Sequence, residues 1–264
     1  ADDGIRHSST SRGLGDVYKR QHEKYKKDFL SYYYNKETEW GNEVVVSYKW
    51  HDLPPGSGLL DLELGRESEL THYDWITDTT VHDGSAWAYM KNSKYKTTTD
   101  LVHYLIDNVS KNGYMLLNIG PKPDGTIPEE DKNLLEGIGN WLDVNGEAIF
   151  ETETWDQYGE GPTKMNEAGP FSDNRAKLIY TAKDFRFTTK DNFLYATALG
   201  WPSKDFTIES IYKLFDNEIE RVELLGSTDK VEWKHTRDGL HITRPDNKPC
   251  EHAYSFKITR KEYL

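Results

Sequence analysis

Glu63 stands in the run Asp61-Leu62-Glu63-Leu64-Gly65-Arg66, a carboxyl between two leucines. Apolar neighbours of that kind can raise a carboxyl pKa and keep the group protonated near neutral pH, as a general acid requires. Asp61, Glu67 and Glu69 crowd the same stretch. A solvated glutamate in an acidic loop is therefore the simpler account of this residue taken alone. Lys49 and Trp50 close a β-branched run. A lysine there can hydrogen-bond a ligand hydroxyl or hold a carboxylate ionised, and a solvated surface lysine fits as well. Trp75 and Trp87 can each offer an indole to the C–H face of a sugar ring, and core packing accounts equally well for either. Trp87 is the stronger candidate, because the small residues Gly84, Ser85 and Ala86 precede it. Asp78 and His82 share that region and are assigned no role.

Other chemistries find no support. His22-Glu23, His51-Asp52 and His82-Asp83 lack a spacing that brings a third ligand, so no metal is expected. Cys250 is the only cysteine, which excludes an internal disulfide and a cysteine-based zinc site. Gly120 to Gly125 reads as a turn; it lacks the Gly-rich, strand-to-helix signature with a lysine and hydroxyl that makes a phosphate loop, and no cofactor is expected. Asn108-Val109-Ser110 has the form of a glycosylation sequon but falls inside a helical pattern. The net charge is 33 − 45 = −12, which disfavours nucleic acid and anionic membrane as partners. No apolar run approaches the roughly 20 residues of a membrane span.

The elements that must position these residues follow from periodicity. Residues 1–21 show neither helical nor strand period, and SSTSRGLGDVYKRQ resembles translated adaptor read-through. They are set apart as a non-native or disordered segment. Tyr25, Phe29, Tyr32 and Tyr33 fall at helical spacing and predict an amphipathic helix ending near Asn35. Glu43 to Tyr48 predicts a strand buried on both faces. Leu101, Val102, Leu105, Ile106 and Val109 mark a second helix, with Thr98 or Thr99 as its N-cap. Tyr114 to Ile119 predicts another buried strand. Thr126 and Glu129, at capping-box spacing, open a third helix with the apolar face Leu134, Leu135, Ile138, Trp141 and Leu142. This alternation predicts an α/β domain over 22–157, then a linker over 158–170. Short β-branched runs at Lys177–Thr181, Asn192–Ala198, Arg221–Leu225 and Leu240–Thr243 predict a small antiparallel β-sandwich over 171–264.

The block GYMLLNIGPKPDGTIP at Gly113 to Pro128, with WLDVNGEAIF at Trp141 to Phe150, resembles the α-L-fucosidases of glycoside hydrolase family 29. FLSYYYN at Phe29 to Asn35 is similar to the helix that follows the nucleophile strand in that family. VVVSYKW at Val44 to Trp50 is similar to the next barrel strand. LDLELGRESEL at Leu60 to Leu70, with WITDTTVHDGSAWAY at Trp75 to Tyr89, is similar to the region carrying the general acid/base. FRFTTKDNFLYATALGWP at Phe185 to Pro202 resembles the start of the family's β-sandwich. The likeness runs through most of the chain and keeps the family's order.

The resemblance implies the C-terminal part of a (β/α)8 TIM-type barrel followed by a β-sandwich. It implies an exo-acting, retaining glycosidase that releases L-fucose from fucosylated oligosaccharides or glycoconjugates. Glu63 matches the acid/base position, and Lys49 a basic residue that contacts the sugar. One departure matters. The family's aspartate nucleophile belongs on a strand ahead of the FLSYYYN helix, and no aromatic-rich strand ending in aspartate precedes His22. The expectation is a truncated chain, inactive as given, with an exposed sheet edge that favours self-association. A non-catalytic fucose- or carbohydrate-binding module, or a pseudo-enzyme, is the alternative. Secretion or a periplasmic location suits the full-length protein. Linkage preference and oligomeric state are not readable.

Overall fold

The computed structural model describes residues 23–50, 52–84, 86–174 and 177–261. It divides into two compact units, Ala1–Leu60 and Asp61–Leu264. The expectation for residues 1–21 lies outside the described residues. Among the described residues no helix is long and apolar enough to cross a membrane.

In the first unit, helix α1 spans 23–40, one turn beyond the predicted end. Phe29 stacks on Tyr33 with ring centres 5.8 Å apart, and Trp40 meets Tyr33 edge-on at 6.2 Å. These i, i+4 and i, i+7 contacts carry the helical spacing past Asn35. The Tyr34 hydroxyl donates to the Ser57 carbonyl at 2.6 Å. Strand β1 is only Ser47–Lys49, and Val45 is 55% exposed. The predicted six-residue buried strand is therefore corrected to a short one. Within this unit the valine run gains one bond, from the Leu59 N–H to the Val46 carbonyl at 2.9 Å. A Cβ on Gly58 would stand 2.1 Å from that carbonyl, so glycine is required there. Strand β2, Leu59–Asp61, ends the unit and opens the next.

The second unit begins with the repeating element of a (β/α) barrel. Strand β3 (Trp75–Thr80) leads through a loop to α2 (Thr98–Val109), and β4 (Gly113–Asn118) to α3 (Glu129–Asn145). β3 and β4 are parallel, in register from Trp75↔Gly113 to Thr80↔Asn118. Thr97 caps α2 through a reciprocal bond with Asp100, one residue ahead of the predicted threonines. The predicted capping box on α3 does not form, because Asp124 accepts from both the Thr126 amide (2.9 Å) and hydroxyl (2.7 Å). β4 is half-buried, with Tyr114 52% and Leu116 58% exposed. Among the described residues it pairs with β3 alone, so no strand covers its other edge.

The remainder is an antiparallel sandwich. A five-stranded sheet has the order β5 (Glu153–Glu160), β6 (Phe185–Lys190), β7 (Phe193–Ala198), β12 (Tyr254–Arg260), β9 (Ile219–Leu224). A three-stranded sheet has the order β10 (Trp233–Thr236), β11 (Gly239–Ile242), β8 (Phe206–Ile208). Phe185, Phe187, Leu194, Ile208, Leu240 and Phe256 are among the residues that fill the core between them. β5 pairs with β6, so residues 153–160 join this sheet and the predicted linker starts inside a strand. The predicted strand at Lys177–Thr181 is an extended loop where it is described.

The two parts of this unit share a second core of α2, α3 and sandwich residues, including Leu101, Ile106, Ile138, Trp141, Leu199 and Ala253. The Trp141 indole N–H donates to the Ala253 carbonyl at 2.9 Å. A partial (β/α) barrel followed by a small antiparallel β-sandwich is the architecture of the chain.

Candidate active site

Glu63 lies in a turn two residues past the end of β2. The Leu62 amide donates to the Ile76 carbonyl (2.8 Å) and the Leu64 amide to the Asp78 carbonyl (3.0 Å). The two bonds advance together, so this segment runs alongside β3 in the same direction, with Glu63 level with Asp78. Leu62 and Leu64 are buried and Glu63 is half-buried. The alternation that puts the leucines in the core turns the carboxyl away from it. Leu64 has a φ of 47°, a left-handed conformation that costs a leucine about 1–3 kcal/mol.

The turn is held on its other side by 169–173. The Phe171 amide donates to the Glu63 carbonyl (2.7 Å), the Asp173 amide to the Leu64 carbonyl (3.1 Å) and the Gly169 amide to the Arg66 carbonyl (2.8 Å). A Cβ on Gly65 would lie 2.1 Å from the Gly169 carbonyl oxygen, so the glycine in this motif secures a close backbone contact. Gly65→Ala is expected to cost about 1–3 kcal/mol by overpacking and to shift the Glu63 turn. A lowered urea midpoint is the measurement.

Arg66, which ends the motif, anchors the turn from below. Its Nε lies 3.0 Å from Asp173 Oδ1, and its guanidinium sits 4.2 Å from the centre of the Tyr104 ring. It also reaches Asp107, a wholly buried carboxylate on α2, at 3.5 Å. Lys111 at 2.9 Å and Arg186 of β6 at 2.6 Å complete three cations around Asp107. Burial pushes the Asp107 carboxyl up, but Lys111, Arg186 and Arg66 outweigh it and hold the group well below the usual carboxylate range. One carboxylate serves three cations, so Lys111, itself buried, is pushed down by that burial.

Trp87 belongs to the loop leaving the C-terminal end of β3. Three contacts fix that loop. Asn118 Nδ2, at the end of β4, donates to the Trp87 carbonyl at 2.9 Å. The Thr80 hydroxyl donates to the Ala86 carbonyl at 2.9 Å. Lys96 Nζ spans the loop base, 3.1 Å from the Thr79 hydroxyl and 2.7 Å from the Thr80 carbonyl. A Cβ on Gly120 would meet the Tyr89 amide nitrogen at 2.8 Å. The Asn118 and Gly120 of the most recognisable sequence block thus seat the loop that presents Trp87. Trp87 is half-buried. His82, in the same loop, is fully buried against Tyr95 at 4.8 Å, and neither ring nitrogen has a hydrogen-bond partner.

Trp75 is corrected. It is 0% exposed at the N-terminal end of β3, with its indole N–H donating to the Lys111 carbonyl at 3.1 Å. Its ring lies over Gly113, where a Cβ would come within 2.4 Å. It packs and cannot meet a sugar. Lys49, half-buried, ends β1, and the following Trp50 is exposed with a φ of 55°. Among the described residues no cluster of three or more His, Cys, Asp or Glu could hold a metal ion. Asn108 of the sequon is buried within α2.

A family model described as "Alpha-L-fucosidase" matches residues 3–147, more than half of the chain. The chain belongs to the α-L-fucosidase family. A second model, "Alpha-L-fucosidase C-terminal domain", matches 177–259. The chain is 30% identical over 250 residues to the plasma alpha-L-fucosidase of Rattus norvegicus, aligning 88% of itself with 49% of that protein. To the tissue alpha-L-fucosidase of the same organism it is 28% identical over 244 residues, with 88% and 48% aligned. A solved alpha-L-fucosidase superposes with a TM-score of 0.70 at 26% identity, covering 91% of this chain and 49% of that one. The Thermotoga maritima alpha-fucosidase in complex with fucose gives 0.63 at 27% identity, with 87% and 47% covered. The chain therefore spans about half the length of the α-L-fucosidases it matches. The family match runs through the Glu63 turn, the Trp87 loop and the Asn118–Gly120 seat.

Proposed function

We propose that this chain carries the acid/base side of an exo-acting, retaining α-L-fucosidase site that takes fucosylated oligosaccharides or glycoconjugates. The observation that carries the reading is the Glu63 turn. A half-buried carboxyl is held between β3 and 169–173 by backbone bonds on both sides, with buried leucines as its anchors. That rigidity suits a proton donor, which must hold its place to be effective.

In a retaining mechanism a carboxylate bonds the anomeric carbon as the glycosidic C–O bond breaks, and an acid about 5–5.5 Å from it protonates the departing oxygen. Glu63 is assigned that proton. When water then cleaves the glycosyl–enzyme bond, Glu63 takes a proton from it and regains its starting form. Trp87 is assigned the apolar face of the sugar and Lys49 a sugar hydroxyl; Trp75 is given no part. The residues ahead of α1 do not show the aromatic-rich pattern ending in aspartate that the resemblance implies for the nucleophile strand, and we further propose that the chain as given does not turn over.

The test is release of 4-nitrophenol from an aryl α-L-fucoside, comparing the chain with Glu63→Gln. No release is expected from either. In a chain extended upstream through the preceding barrel strands, release is expected, and Glu63→Gln should lower kcat about 10²–10⁴-fold. Release by the chain as given that Glu63→Gln abolishes keeps the fucosidase reading and overturns the missing nucleophile. Release that Glu63→Gln leaves intact overturns Glu63.

A further inference from the structure

A cavity of about 790 Å³ lies in the β-sandwich between β5, β9, β12 and the 210–218 segment, remote in sequence from the Glu63 turn. Its volume falls in the range of small-molecule sites, about 300–1,000 Å³. One rim is aromatic and open, with Tyr212 49% and Phe215 65% exposed. Trp155, set edge-on against Phe187 at 5.1 Å, forms part of the wall.

Among the described residues, two side-chain nitrogens of the lining residues have no hydrogen-bond partner, although His235 Nδ1 lies 3.9 Å from Glu218 Oε2. The His235 side chain is only 8% exposed, and its Nε2 has no hydrogen bond. Arg260, at the end of β12, has a buried Nε with no partner. Its NH2 group reaches only the Asp191 carbonyl, at 3.5 Å. Buried polar atoms are nearly always paired in native structures, so two unmet nitrogens on residues that line one cavity mark it as a candidate ligand site. Burial pushes the His235 imidazole down, so near neutral pH one of its ring nitrogens can accept and the other donate.

We infer that this cleft is a second carbohydrate-binding site, for the neutral body of an oligosaccharide, separate from the site that would hold fucose. Flat aromatic faces receive the C–H side of a sugar ring, while hydroxyls both donate and accept and so answer Arg260, His235 and Asp156 together. The lining's full charges nearly cancel: Asp156, Asp191 and Glu218 face Arg260 and Lys261. A phosphate-rich or polyanionic ligand has no cationic surplus to meet. A peptide adding to the sheet edge is disfavoured too, because the edge strand β9 carries Glu220, Arg221 and Glu223. The ligand class rests on the fucosidase reading; the cavity and its unmet groups do not.

The experiment is calorimetric titration of the full chain with a neutral tetrasaccharide carrying one fucose, and with the same tetrasaccharide lacking it. Both are expected to bind with affinities within a few-fold of each other. Phe215→Ala and Tyr212→Ala remove exposed side chains and should leave the fold intact, as far-ultraviolet dichroism can verify. Each should weaken binding about tenfold, the worth of one aromatic contact. Trp87→Ala should leave binding of the tetrasaccharide that lacks fucose unchanged. Binding that requires fucose, falls with Trp87→Ala and ignores Phe215→Ala would place the ligand at the fucose site and overturn the inference while sparing the fucosidase reading. Binding of neither sugar, or conversion of a dimer to a monomer by Phe215→Ala, would overturn it as well.

Discussion

Asp107→Ala should lower the stability of this chain by about 3–5 kcal/mol, the usual consequence of leaving buried charge without its partner. Asp107 is fully buried, and three cations, Lys111, Arg186 and Arg66, converge on its two oxygens. They come from the end of α2, from β6 of the sandwich and from the segment after β2. Removing the carboxylate leaves three positive groups facing one another in a region that excludes water. Against a total of about 5–15 kcal/mol for a folded domain, that loss is large enough to unfold much of the population at physiological temperature. Lys230→Ala, which breaks an exposed ion pair with Glu232, should leave the urea midpoint unchanged. A midpoint for Asp107→Ala within error of the parent would show that the cluster does not bind the barrel segment to the sandwich.

The same cluster sets an acid limit. Asp107 has a folded-state pKa below its unfolded value, so its contribution is fully present above about pH 3.9 and is lost as pH falls through the folded value. Stability should therefore decline below about pH 4, and the decline should be shallower in Asp107→Asn, which has no carboxylate to protonate. Urea titrations of both proteins between neutral pH and acid measure it. A parallel decline in the two would assign the acid limit to other carboxylates.

The cluster also marks where sequence reading stops. Asp107 lies on a visible helix and Lys111 four residues on, just past its end, so that pair is legible. Arg186 lies 79 residues further on, and nothing in local pattern ties it to α2. The apolar face of α3 was legible through Leu134, Ile138 and Trp141, because a helix buries a stripe and the stripe repeats. Its start was not, since Asp124 competes for the threonine that spacing assigned to the cap. The strands suffered in another way. Their runs of valine and leucine predicted burial on both faces, and the exposure of Val45, Tyr114 and Leu116 depends on which neighbours are present. Of the candidate site, the Glu63 motif and the Trp87 loop were legible as blocks. The reasons for their glycines and asparagine were not, because Gly65, Gly120 and Asn118 act on backbone distant in sequence.

Trp75 and Trp87 carry the second large expectation, because sequence treats them alike and the fold does not. Trp75 opens β3, and its register partner is Gly113, the one residue type that leaves room for an indole. Trp75→Ala should cost about 3–5 kcal/mol, the sum of lost apolar transfer and the cavity left behind. The Lys111 carbonyl loses the indole N–H and keeps the Thr71 hydroxyl at 2.9 Å, so the hydrogen bond adds little to this cost. Trp87 leaves β3 at the other end and is held through its backbone by Asn118, so its side chain can be removed without breaking that seat. Trp87→Ala should keep the urea midpoint close to the parent and weaken fucose binding about tenfold, as expected of one aromatic contact. Urea melts read the first quantity and calorimetric titration with fucose the second, on the same samples. If Trp75→Ala melts with the parent, the strand start is not the packed core described here. If Trp87→Ala binds fucose as the parent does, its loop is a cover over the barrel and the sugar platform lies elsewhere.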